Sequence, residues 1–308
     1  MQKVIQVFAD EFNQMKKIYI TNTTLPAGAA FRMKGKRVTV TGYTKSKKVM
    51  FQGSAAEQEA QRWANDSENK LPKQEKTSTR RNDGLPAGFE HWSVLGSDEV
   101  GTGSYFGPLT VASVYVRADQ VEAITNLGVR DSKKLTDPEI IKLAKKVMAD
   151  CPYHIVNLNP PLYNEKIQDR SQAALKALCH NLALSQVLTK IKPAVPDAIL
   201  IDEFEQPRTY FKHLRGQDPV IKKNVYFRTK GEQAHAAVAA ASVVARYYSL
   251  QMMDQLSEEA GMTLPIGAGH VVDEVAARLI RHHQDLGKFA KLHFTNTAKA
   301  QQLARSNR

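Results

Sequence analysis

Two adjacent acids, Asp98 and Glu99, close the apolar run WSVLGS. A carboxylate there is costly unless it is paired or bound to a metal. Successive side chains of a strand point to opposite faces, so the two cannot serve one ion as simple neighbours. One would lie against the ion, while the other reaches around or acts from a kinked backbone. Gly101, Gly103 and Gly107 follow at once. Glycines allow positive φ and let a substrate come close to main-chain N–H groups. On its own the segment reads more readily as a strand ending in a polar hairpin. Asp202 ends a second short apolar run, AILID, and α/β sheets present ligands and catalytic groups at such strand ends. Glu203 and Glu205 are near in sequence, but Glu203 faces away from Asp202 if the strand continues. Two acidic strand ends form the skeleton of a phosphodiester-cutting site. Mg²⁺ or Mn²⁺, hard ions that prefer oxygen ligands, would sit there about 3.5–4 Å apart and serve the attacking water and the leaving oxygen. Two unrelated, salt-bridged aspartates would read the same way. Glu232, in TKGEQAHAAVAAASVVARYY, offers a further carboxylate at a helix start, with no other acid before Asp254. Negative charge is favoured at that position whatever its use.

The elements that must hold these acids are legible as alternating strands and helices. WSVLGSDEVGTGSYFGPLTVASVYV reads as two strands around a glycine-rich turn. A helix is predicted near 137–150, a strand over Tyr153–Leu158, and a long helix inside 169–190 from the spacing of Leu175, Leu178 and Leu182. The strand AILID and an alanine-rich helix over 233–253 complete an α/β domain with a mixed sheet. Ala237, Ala240, Ala241 and Ala245 read as a face for close helix–sheet packing. Upstream, AAFRMKG, RVTVTGY and KVMFQG predict three short strands. Ser54 to Glu57 has capping-box spacing for a helix opening at Ser54, and residues 10–20 suggest another. The intervening stretch NDSENKLPKQEKTSTRRNDGLPAG is too polar to bury a core. The expected organisation is a small α+β domain over 1–64, a linker over 65–88 and a larger α/β domain over 89–308.

Composition narrows the function class. The chain has 308 residues, 42% hydrophobic and 24% charged, as soluble globular proteins do. It lacks any apolar run long enough to span a bilayer, and MQKVIQVFADEF does not resemble a secretory leader. A cytoplasmic protein is expected, and Cys151 and Cys179, without metal-type spacing, read as buried thiols in a reducing compartment. The net charge is +12, which favours a polyanionic partner but also suits a merely basic surface. Residues 1–90 hold 16 Lys and Arg against 9 Asp and Glu. His235, His270, His282 and His283 show no metal-ligand spacing.

Four separated motifs, GSDEVGTGSYFGPL, DSKKL at 131–135, LIDEF at 200–204 and TKGEQAHAAVAAASVVAR at 229–246, together resemble the type 2 ribonucleases H, most closely the ribonuclease HIII group. The small N-terminal domain is similar to that group's substrate-gripping domain, whose fold resembles half of the TATA-box-binding protein. The resemblance implies an RNase H-like sheet flanked by helices and an endonuclease that cuts the RNA strand of RNA–DNA hybrids, leaving 5′-phosphate and 3′-hydroxyl ends. It implies a two-metal site of Asp98, Glu99, Asp202 and Glu232, with Mg²⁺ or Mn²⁺, no organic cofactor and a monomeric chain. It also implies that Gly101, Thr102, Gly103 and Ser104 surround a ribose 2′-hydroxyl, the group that tells RNA from DNA, and that Ser132, Lys133 and Lys134 hold phosphates. Tyr105 and Phe106 would pack on sugar or fill the core. The sister HII group carries an arginine inside its Gly-X-Gly motif and a further aspartate in the later helix. Thr102 and Leu250 stand there in this chain, which favours HIII over HII-like incision at single embedded ribonucleotides. A catalytically silent hybrid-binding protein is the other reading, and the presence of all four acids opposes it.

Overall fold

The computed structural model describes residues 2–7, 9–44, 47–68 and 85–306. The chain divides into two compact units, Met1–Arg81 and Asn82–Arg308. In the first, strands β1 (Gln2–Gln6), β2 (Ala29–Lys34), β3 (Thr39–Tyr43) and β4 (Lys48–Gln52) form an antiparallel sheet in the order β1-β4-β3-β2. Helices α1 (Ala9–Ile18) and α2 (Ala56–Glu68) accompany it. Phe12, Met15, Phe31, Val40, Val49 and Phe51 make a core of this unit's own residues. Strand β1 is not foreshadowed in the sequence, because QKVIQ has only two apolar residues and draws its stability from pairing with β4. The helix expected to open at Ser54 starts instead at Ala56. Glu57 therefore falls too early for a capping box, and its carboxylate accepts a hydrogen bond from Lys3. Helix α2 also runs through Glu68, into the stretch read as linker. Residues 69–84 of that stretch lie outside the described residues.

The second unit is built on a mixed sheet of β5 (Val94–Val100), β6 (Leu109–Val116), β7 (Tyr153–Leu158), β8 (Ala198–Asp202) and β9 (Val225–Arg228), ordered β7-β6-β5-β8-β9. Strand β6 runs antiparallel to both β5 and β7, while β5, β8 and β9 run parallel. The helices are α3 (Val121–Asn126), α4 (Asp137–Asp150), α5 (Pro160–Lys166), α6 (Gln172–Lys190), α7 (Pro207–His213), α8 (Gly231–Ala234), α9 (Ala236–Ala260), α10 (His270–Arg281) and α11 (Asn296–Ser306). Local signals set several starts. Thr136 and Glu139 form a capping box for α4, and Asn159 and Ser171 cap α5 and α6.

Helix α9 lies directly on the sheet. Ala237, Ala240, Ala241 and Ala245 are fully buried. At Gly96, in the middle of β5, an added Cβ would stand 2.3 Å from the backbone of Ala237 and Val238. Small side chains on one partner and none on the other let the two backbones touch, which fixes α9 over the end of β5. On the opposite face, α6 and α7 cover Leu95, Ile199 and Ile201 with Ala177, Leu184, Tyr210 and Leu214. A third cluster joins Tyr105 and Phe106 to the far half of α9, α10 and α11.

Candidate active site

The register of the sheet brings the acids together. Ser97 of β5 pairs with Ile201 of β8 in parallel, so Asp98 and Asp202 follow at neighbouring strand ends. Asp98 is buried, and its Oδ1 accepts a hydrogen bond from the Glu99 amide at 2.7 Å. Ser242 of α9 acts on the same carboxylate and favours its charged form. Burial, then the charges of Glu99 and Asp202, push the Asp98 carboxyl up to about 7. Asp202 Oδ1 accepts from the Gly231 amide at 2.7 Å, and the next residue is Glu232, buried in α8. The chain enters α8 through Lys230 at φ 60°, a turn that sets Glu232 one residue beyond the amide held by Asp202.

Glu99 faces the other way, toward α6, as strand alternation requires. Its Oε1 accepts from Lys176 Nζ at 2.7 Å and its Oε2 lies 3.0 Å from His180 Nε2. His180 Nδ1 in turn meets Ser97 Oγ at 2.7 Å, and Ser113 donates to Ser97 at 2.9 Å. Phe204 closes this network, with its ring 3.8 Å from the Lys176 ammonium and stacked on His180. Burial alone would raise Glu99, but His180 and Lys176 outweigh it and hold the carboxyl below its usual value. The two neighbours thus diverge, with Glu99 kept ionised and Asp98 raised by burial and then by like charge.

That rise is the observation that bears on a metal. Two carboxylates at adjoining strand ends, one raised by burial and then by its fellows, make an oxygen-only donor set suited to a hard divalent cation. Among the described residues, no group of three or more His, Cys, Asp or Glu is drawn together tightly enough to cage an ion by itself.

The loop after β5 is tied down from two sides. Gln172 of α6 donates to the Thr102 carbonyl at 3.1 Å and to the Tyr163 hydroxyl at 3.0 Å. The Thr102 hydroxyl oxygen is buried without a hydrogen-bond partner among the described residues. Ser104 Oγ accepts from the Gly267 amide. Tyr105 and Phe106 fill the core, both buried, and so are not a surface for sugar. Farther along, Phe106 bridges Ala290, and Lys291, completely buried, donates to the Gly107 carbonyl at 2.6 Å. Ser132 and Lys134 stand in a 3-10 turn at Val129–Lys134, where Ser132 is buried and its carbonyl accepts from Arg246. Arg246 also lines a cavity of about 260 Å³ with Gly101 and Ser104. Arg246 therefore links the turn to the concavity beside the glycine loop, and the Lys133 side chain lies outside the described residues. Leu250 lines the same concavity. His235 caps α9, its Nδ1 accepting from the Ala237 amide.

Sequence reasoning missed Lys176, His180, Ser242, Gln172 and the role of Lys291. A signal existed for two of them. Lys176 and His180 stand four residues apart in the mostly apolar ALKALCHNLAL, and so share one face of the helix.

A sequence model described as Ribonuclease HII matches residues 95–297, and a model described only as a domain of unknown function matches residues 2–76. The chain is 61% identical to Ribonuclease HIII of Limosilactobacillus fermentum, covering 99% of this chain and all of that protein. It is 50% identical to Ribonuclease HIII of Leuconostoc mesenteroides over 98% of this chain and all of that protein. Among solved structures, Bst-RNase HIII in complex with Mn²⁺ matches with a TM-score of 0.73 at 41% identity, covering 99% of this chain and all of that one. Matches of this length extend through both units and all the acids above, and by them the chain belongs to the ribonuclease HII family as a ribonuclease H of the HIII kind.

Proposed function

We propose that this enzyme hydrolyses the RNA strand of RNA–DNA hybrids with two divalent ions, Mg²⁺ or Mn²⁺, held by Asp98, Glu99, Asp202 and Glu232, leaving 5′-phosphate and 3′-hydroxyl ends. The observation that carries the metal assignment is the juxtaposition of Asp98 and Asp202 at neighbouring strand ends, where burial, then the charges of Glu99 and Asp202, raise Asp98 to about 7. Bound ions would supply Lewis-acid stabilisation of the attacking and leaving oxygens. The chain's residues do the positioning. Asp98 would hold the ions from the end of β5, Asp202 and Glu232 would hold them from the β8–α8 side, and Ser242 would steady Asp98. Lys176 and His180 keep Glu99 ionised and fixed, so that it supports one ion from the α6 side. Main-chain groups of Gly101, Thr102 and Gly103, with Ser104, surround the 2′-hydroxyl, and Ser132, Lys133 and Lys134 hold phosphates. The N-terminal unit adds affinity without reading sequence, because phosphate contacts position rather than specify. The enzyme acts as a cytoplasmic monomer. Its two cysteines are buried free thiols, which suits a reducing compartment. Among the described residues, no helix is long and apolar enough to cross a membrane.

Asp98→Asn tests the site. It should lower kcat on a long hybrid by roughly a thousandfold, several kcal/mol of transition-state stabilisation, with hybrid binding kept within a few-fold. Cleavage at the wild-type rate with Mg²⁺ would show the site to be wrong. A duplex bearing one ribonucleotide, assayed beside the long hybrid, separates the HIII activity from HII-like incision.

A further inference from the structure

Residues 206–230 contain seven Lys or Arg and one acid, Asp218. This net +6 is half of the whole chain's +12, in 25 residues. Four of these cations, Arg208, Lys212, Arg215 and Lys222, line one surface concavity with Thr209 and Phe211. All four are exposed. Arg208 and Lys212 stand four residues apart on α7 and Arg215 follows just past its end, while Tyr210 and Leu214 beside them are anchored in the core. The basic face is therefore fixed outward. Among the described residues none of the four side chains has an ion pair or hydrogen bond. Other surface cations do, as in Lys166–Glu165, Arg170–Asp169 and Arg117–Asp119. Unpaired like charges gathered on a rigid face repel one another, so the arrangement calls for a polyanion.

We propose that this face binds the sugar–phosphate backbone of the hybrid outside the cutting site. Helix α7 is the first element after β8, whose last residue is Asp202. The face lacks what an acidic protein partner would need. Phe211, its one aromatic ring, is half-buried and packed edge-on against Tyr210 and Phe227, leaving no apolar anchor. Exposed guanidinium and ammonium groups around a hydroxyl match phosphate oxygens, which carry no sequence information. The proposal rests on the chain's action on hybrids, and that action is tested separately by cleavage with the unaltered chain.

The test is equilibrium binding of a long hybrid, without divalent metal, to the full chain and to the variant Arg208→Gln, Lys212→Gln, Arg215→Gln, Lys222→Gln, between 50 and 200 mM salt. Each phosphate contact contributes about 0.9 to the slope of log K against log salt, so the slope should shrink by about 3–4 and affinity near 0.1 M salt should fall at least ~10-fold. A charge-conserving set, Arg208→Lys, Lys212→Arg, Arg215→Lys and Lys222→Arg, should keep the wild-type slope. Unchanged slope and affinity in the glutamine variant, with thermal unfolding intact, would overturn the proposal. So would an equal loss in the charge-conserving set, which would assign the effect to shape rather than charge.

Discussion

Gly101 adopts φ +91°, and a Cβ there would stand 2.1 Å from the Pro108 carbonyl oxygen, where the two ends of the loop meet. Gly103, two residues on, has neither constraint, since its φ is not left-handed and a Cβ would meet nothing within 4 Å. The fold therefore asks for glycine at the first position and leaves the second to be explained by what approaches from outside. Gly101→Ala should cost about 2 kcal/mol or more, from strain and overlap with backbone. Gly103→Ala should change stability by less than ~0.5 kcal/mol, as an exposed substitution does, yet raise KM on a hybrid several-fold because the methyl group occupies the substrate's space. Urea melts and steady-state kinetics on both variants check this pair. A Gly103→Ala enzyme with wild-type KM would remove substrate contact as the reason for that glycine.

At the scale of elements, the catalytic strand ends were legible in sequence because the signal is local. Apolar runs ending in an acid gave β5 and β8, and alanines at helical spacing gave α9. The partners of those acids were not legible. Lys176, His180 and Ser242 reach them only through the packing of α6 and α9 on opposite faces of the sheet. Nor was β1, which is held by its neighbour more than by its own residues. The segment before α11 makes the same point. KLHF reads in sequence only as a segment packing onto the domain; in the fold Lys291 is buried and clamps the Gly107 carbonyl, closing the glycine loop onto the C-terminal helices. Burial pushes its ammonium down to about 7 from a usual 10.5. Its folded pKa thus lies below the unfolded one, so the unfolded chain binds more protons between those values and stability rises with pH across that window. Lys291→Met has no such proton to release. The stability of wild type relative to Lys291→Met should therefore improve from pH 7 to pH 9, by on the order of 2 kcal/mol. Chemical denaturation of both proteins at pH 7, 8 and 9 measures it, and a difference that stays flat would mean the clamp titrates elsewhere.

Across the whole molecule the charge is not spread. Residues 1–90 carry +7 and residues 206–230 carry +6, which leaves −1 for the rest of the chain. The N-terminal unit has its own core, and the catalytic unit holds the other hydrophobic clusters. Each can therefore keep its structure when the other is changed. If the N-terminal unit serves affinity alone, removing residues 1–81 should weaken hybrid binding, flatten its salt dependence and leave kcat at saturating hybrid within a few-fold. The two basic stretches are also far apart in sequence and built on separate cores, so their losses should add as free energies. The truncated chain that also carries the four glutamines should lose affinity by about the product of the two separate factors. Binding titrations of the four proteins over one salt series measure this. Truncation that leaves affinity and salt slope untouched would remove the binding role from the N-terminal unit. A double loss no greater than the larger single one would mean that both stretches depend on a single contact with the hybrid.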